Sequence, residues 1–97
     1  MANNLIKYMG HNIGKSLQEE NSNLIIKEIF ALSKKENCKI VYPEDIIVAK
    51  NLNGSPKNKE LDQVLSDEMI LDIGPKTIKI IKDLIDQSNT ILWNGPA

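Results

Sequence analysis

Few residues of this chain carry chemistry on their own, and most of those read first as structure. His11 is the only histidine. It has the right type for a general base, but it stands in a turn bracketed by Gly10 and Gly14 and reads as a surface residue. Cys38 is the only thiol. Placed where a strand follows a helix, it reads as a small buried hydrophobe rather than a nucleophile. Asp72, at the end of an apolar run before Gly74 and Pro75, could ligate a metal, but it reads as a cap for the next helix or its turn. Lys15 could meet a phosphate, yet Glu19 and Glu20 beside it make it one charge of a solvated face. Arginine is absent, so no bidentate guanidinium clamp on a phosphate can be built.

These residues must be positioned by a short chain. Its 97 residues suit one small domain, residues 1–97, and not two. A net charge of −1, with 41% apolar and 26% charged residues, gives no field of the kind that holds nucleic acid or a membrane surface. One cysteine excludes an intrachain disulfide. No apolar run reaches the roughly 18–20 residues of a membrane span. Met1, Ala2, Asn3 and Asn4 lack the basic stretch and apolar core of a secretory leader. The expected location is cytoplasmic.

Helical spacing of Leu5, Ile6 and Met9 predicts a short helix over residues 3–9, stopped by Gly10. A second helix is expected over residues 22–36. Ser22 would be its N-cap, Leu24, Ile25, Ile29, Phe30 and Leu32 its apolar face, and Asn37 a left-handed residue at its end. Residues 39–42 and 46–49 are short β-branched runs that read as strands. Residues 50–59 form a polar loop broken by Gly54 and Pro56. Residues 60–66 read as irregular or a short strand. Then come a strand over residues 69–72, a turn at Gly74-Pro75, a helix over residues 77–86 with Ile78, Ile81, Leu84 and Ile85 inward, and a buried strand over residues 90–93 with Trp93 in the core. That order is a β-α-β unit. Its strands lack polar alternation, which suits a parallel sheet covered on both faces, with a right-handed crossover.

Three strings narrow the reading. Residues 1–5 (Met-Ala-Asn-Asn-Leu), continuing to residues 12–17 (Asn-Ile-Gly-Lys-Ser-Leu), resemble the stretch after the triple-glycine turn of phosphoglycerate kinases. Residues 72–77 (Asp-Ile-Gly-Pro-Lys-Thr) resemble a strand-to-helix turn of that family. Residues 93–96 (Trp-Asn-Gly-Pro) resemble its strand-end turn beside the nucleotide. The family's Leu-Pro-Val-Asp string appears here as Tyr42, Pro43, Glu44 and Asp45. Order and spacing agree along the whole chain.

The resemblance implies a partial Rossmann-like, three-layer α/β domain with a short parallel sheet and flanking helices, from the middle of the nucleotide-binding domain. It implies phosphoryl transfer between ATP and 3-phosphoglycerate in glycolysis, with Mg-ATP or Mg-ADP as the ligand. By the same resemblance Leu17 lines an adenine pocket, Met69, Ile70 and Leu71 touch the ring, and Asn94, Gly95 and Pro96 meet the sugar-phosphate. Ile70 stands where the family has a glycine, and its branched side chain is expected to crowd the purine. The phosphate loop, the ribose-binding glutamate and the substrate domain of the family have no counterpart in these residues. The chain is therefore expected to be inactive alone, with no catalytic or metal-ligating residue of its own. The alternative is a small binding module without catalysis, pairing with another copy through exposed sheet edges.

Overall fold

The computed structural model describes residues 1–95. Its elements are α1 (Ala2–Tyr8), α2 (Asn23–Lys35), β1 (Asp45–Ala49), β2 (Lys57–Glu60), a 3-10 turn (Leu61–Gln63), β3 (Met69–Ile73) and α3 (Pro75–Gln87).

β1 is central, and the sheet order is β2-β1-β3. Both pairings are antiparallel, with Ile46 opposite Lys59 on one side and Ile73 on the other. The class is α/β, as expected, but the described sheet is antiparallel where a parallel one was expected. The expected strands at residues 39–42 and 90–93 form no ladder. The reason is physical: an extended apolar run becomes a strand only beside another strand, and neither run has one here. The β-α-β crossover is therefore not formed among the described residues.

The core is small. Ile6, Ile13, Ile46, Val48, Leu61 and Val64 make one buried cluster, with Ile70 packed against it. β1 supplies its centre because every position of the strand is buried or half-buried. β2 has no apolar residue (Lys-Asn-Lys-Glu), and its first three residues fall in the expected loop. Its ladder to β1 defines it, together with Lys59, whose ammonium reaches both Glu68 oxygens at 2.8 Å.

The helices follow the spacing, but their burial does not. α2 buries Ile26 alone, while Leu24, Ile25 and Leu32 face solvent. Ser22 stands at the N-cap without capping a helix amide, and its Oγ instead accepts from Asn4 Nδ2. Asn37 is left-handed at φ 50°, as expected. In α3 Thr77 is buried while Ile78 and Ile85 are exposed. Cys38 and Trp93, both expected to be buried, are exposed. Cys38 directly precedes the run at residues 39–42 and Trp93 lies in the run at residues 90–93, neither of which forms a ladder.

Candidate functional site

β3 is the element that gathers candidate residues. Its pairing with β1 slips between Ile47 and Val48: Asp72 faces Ile47 and Ile70 faces Val48, so Leu71 has no residue opposite it. A bulge of this kind bends a strand and re-aims a side chain. Here Ile70 and Leu71 both line one groove, together with Ala2, Asn3, Ile6 and Ile73. The groove holds about 180 Å³. That is below the ~300–1,000 Å³ of ordinary small-molecule sites, a space for a ring and not for a whole nucleotide.

Two polar ties set the groove's edge. Asn3 Nδ2 donates to the Leu17 carbonyl at 2.8 Å. Ile70 N donates to the buried Ser16 Oγ at 2.7 Å. They pin the Lys15-Ser16-Leu17 loop to α1 and β3. The backbone of Leu17 thus reaches the groove's edge, while its side chain is 87% exposed. Neither Asn3 nor Ser16 was expected as a site residue. The one signal for Ser16 is a hydroxyl two residues past a turn glycine, a type that serves an unpaired strand amide.

The other expected site residues separate. Met69 bridges Gly14 and pairs with Ala49, and it does not line the groove. Asn94 and Gly95 are exposed at the tail, where the indole N–H of Trp93 donates to the Gly95 carbonyl at 2.6 Å. Pro96 lies outside the described residues.

Ile70 is half-buried, not splayed across the groove, and packs against the core. Its side chain forms one wall of the groove. Asp72 also borders the groove, its Oδ1 accepting from Ile73 N. A carboxylate there is a poor neighbour for phosphate.

The helix end after β3 is held by a different acid. Asp45 and Thr77 are almost completely buried. Asp45 accepts from Lys76 N at 3.0 Å, Thr77 N at 2.8 Å and Thr77 Oγ1 at 2.8 Å. It therefore does the capping expected of Asp72. Burial pushes the Asp45 carboxyl up, but the hydrogen bonds from Thr77, Lys76 and Asn58 outweigh it and leave the pKa below its ordinary value. Gly74 makes this closeness possible, since a Cβ there would stand 2.2 Å from Asp45 Cγ.

Glu68 forms the second tie. It is buried, paired with Lys59, and accepts from Leu65 N at 3.0 Å. The lysine partner and that amide hold its pKa down. Its carbonyl takes Lys15 N at 2.7 Å, so the loop and the sheet share one residue. Among the described residues no three acidic, histidine or cysteine side chains converge as a metal-holding group.

The sequence profile described as Phosphoglycerate kinase matches residues 1–97. The chain belongs to the phosphoglycerate kinase family.

It is 43% identical to the phosphoglycerate kinase of Legionella pneumophila over 100% of its length, which is 25% of that relative. It is 40% identical to that of Zymomonas mobilis over 99% of its length, again 25% of the relative. The solved phosphoglycerate kinase of Coxiella burnetii matches 98% of the chain and 25% of its own, with a TM-score of 0.92 and 36% identity. The chain therefore spans about a quarter of the phosphoglycerate kinases it matches.

Proposed function

We propose that this chain carries the base-contacting wall of a phosphoglycerate kinase nucleotide site and performs no phosphoryl transfer by itself. The observation that carries the reading is the bulge at Leu71, which turns Ile70 and Leu71 into one groove beside Ala2 and Asn3. Apolar walls with a few polar groups at the rim suit a flat, uncharged ring.

Transfer between ATP and 3-phosphoglycerate depends on positioned cations and a phosphate cradle. Mg²⁺ would supply charge neutralisation at the phosphates, and Asp72 is the one carboxylate lining this groove, too few for a cage made by the protein alone. The chain has no arginine, and Asp72 puts a negative charge at the groove's edge. The residues themselves can hold a base, exclude water from its face and offer the Leu17 carbonyl and Asn3 amide at its edge. Sugar and phosphate contacts at Asn94, Gly95 and Pro96 belong to the same reading. So do a cytoplasmic location and a place in glycolysis.

The test is an NMR titration with adenosine and, separately, with Mg·ADP. Shifts should centre on Ala2, Asn3, Ile70 and Leu71, and adenosine should bind no more weakly than Mg·ADP. Silence at millimolar adenosine removes the base-binding half of the reading. ATP formation from 1,3-bisphosphoglycerate by the purified chain removes the other half.

A further inference from the structure

The groove beside Leu71 is lined by Asn3 and Ile70, and both are tied to the Lys15-Ser16-Leu17 loop. That loop rests in turn on residues 64–68. Lys15 N donates to the Glu68 carbonyl at 2.7 Å, and Asn12 Nδ2 donates to the Val64 carbonyl at 3.2 Å. Gly14 lies so close to the same segment that a Cβ would stand 2.5 Å from the Leu65 carbonyl.

One carboxylate closes residues 64–68 into a turn. Glu68 N donates to the Leu65 carbonyl at 3.1 Å, and Leu65 N donates back to Glu68 Oε2 at 3.0 Å. Lys59 grips both ends of the turn. Its ammonium donates to the Gln63 carbonyl at 3.2 Å and to both Glu68 carboxylate oxygens at 2.8 Å. The Lys59 and Glu68 side chains are 18% and 6% exposed, against 73% and 49% for the neighbouring Lys50–Asp67 pair. An exposed pair of that kind holds little, whereas a sheltered carboxylate that loses its cation must reach water. For Glu68 that means undoing the turn, because the oxygen that meets the ammonium also holds Leu65 N.

We propose that Lys59 is a positioning residue for the groove: by holding Glu68 it fixes the turn over residues 64–68, and the turn fixes the Lys15–Leu17 loop at the groove's rim. Lys59 lies on β2, across β1 from the groove strand β3, and does not itself line the groove. Its effect travels through Glu68, Lys15 and Ser16 to Ile70. The hold on the loop stands by itself, while its consequence at the rim rests on the base-binding reading.

The experiment compares Lys59→Met, Lys59→Arg, Glu68→Gln and Lys50→Met in the whole chain. Amide hydrogen exchange is read by NMR, and adenosine affinity by titration. Lys59→Met should speed exchange at Lys15 and Ile70 by about tenfold or more beyond any change at Ile81 in α3. It should weaken adenosine binding about fivefold. Lys59→Arg can meet both carboxylate oxygens and should keep both readouts at those of the unaltered chain. Lys50→Met should move neither. Glu68→Gln keeps an acceptor for Leu65 N, should speed exchange at the same two amides, and carries the comparison if Lys59→Met does not fold. Unchanged exchange at Lys15 and Ile70 overturns the proposal. Equal acceleration at Lys15, Ile70 and Ile81 also overturns it, because the pair would then add only general stability. So does an unchanged adenosine affinity where loop exchange has quickened. If the unaltered chain binds no adenosine, the base-binding reading fails, and exchange at Lys15 and Ile70 alone decides the hold on the loop.

Discussion

At one end of the sheet Asp45 and Thr77 are shut away from water although both are polar; in the tail Leu92 and Trp93 stand in it although both are apolar. The difference lies in partners. Asp45 meets two helix amides and a hydroxyl, so its burial leaves nothing unpaired. Among the described residues, Leu92 and Trp93 have no strand or helix laid over them. Composition sets what a segment could bury, and neighbours decide whether it does.

The largest effect should come from Asp45→Ala. It strips the cap from α3 and leaves Lys76 N and Thr77 N short of a partner, while the Thr77 hydroxyl keeps the main-chain carbonyl of residue 45, at a cost of about 3 kcal/mol. A urea melt followed by circular dichroism should show the midpoint fall sharply or the transition vanish. The same comparison can be run within α2: Ile26→Ala should cost about 2–3 kcal/mol, while Leu24→Ala should stay within about 0.5 kcal/mol. If the two cost the same, the helix is not docked through Ile26. Gly74→Ala should cost about 2 kcal/mol through the overlap with Asp45, and the Gly74→Ala/Asp45→Ala pair should be less than additive.

Acid should act on the tied carboxylates. Asp45 and Glu68 are both held below their ordinary values of 3.8 and 4.5. The unfolded chain therefore binds protons first, and the stabilisation is complete above those ordinary values. It is lost as pH falls through the lower folded-state values. Urea midpoints should decline along this acid limb, and Glu68→Gln should flatten the decline. Last and smallest, Leu92→Ser should change stability by no more than about 0.5 kcal/mol; a loss as large as that of Asp45→Ala would mean the tail is packed after all.

The sequence showed these two ends unequally. Helix positions came through because Gly10, Ser22, Asn37 and Gly74-Pro75 punctuate them locally. Ile46 to Ala49 read as a strand because its apolar run is dense. β2 did not, since Lys57, Asn58, Lys59 and Glu60 form a strand only by the ladder they share with β1. Residues 39–42 and 90–93 read as parallel strands for a sound local reason, but a ladder needs a second strand that local pattern cannot supply. At the site, Ile70 and Leu71 were legible by resemblance. The bulge that brings them together was not, because it depends on register with β1. Asp45 was passed over as a cap because it lies about thirty residues from the helix it serves, beyond the reach of any capping pattern.

The glycine at position 14 has a consequence for assembly order. Its φ of +54° lets Met69 bridge it, and a Cβ would fall 2.1 Å from the Glu68 carbonyl. The adjoining Ser16–Ile70 hydrogen bond spans 54 residues of sequence. Closing so wide a circuit costs entropy that nearby contacts do not demand. The turn at Gly14 to Ser16 must then wait, as the chain emerges from a ribosome, until Ile70 has been made and is free to receive it, while the ties of Asn3 and Asn4 to Leu17, Glu19 and Ser22 can close earlier.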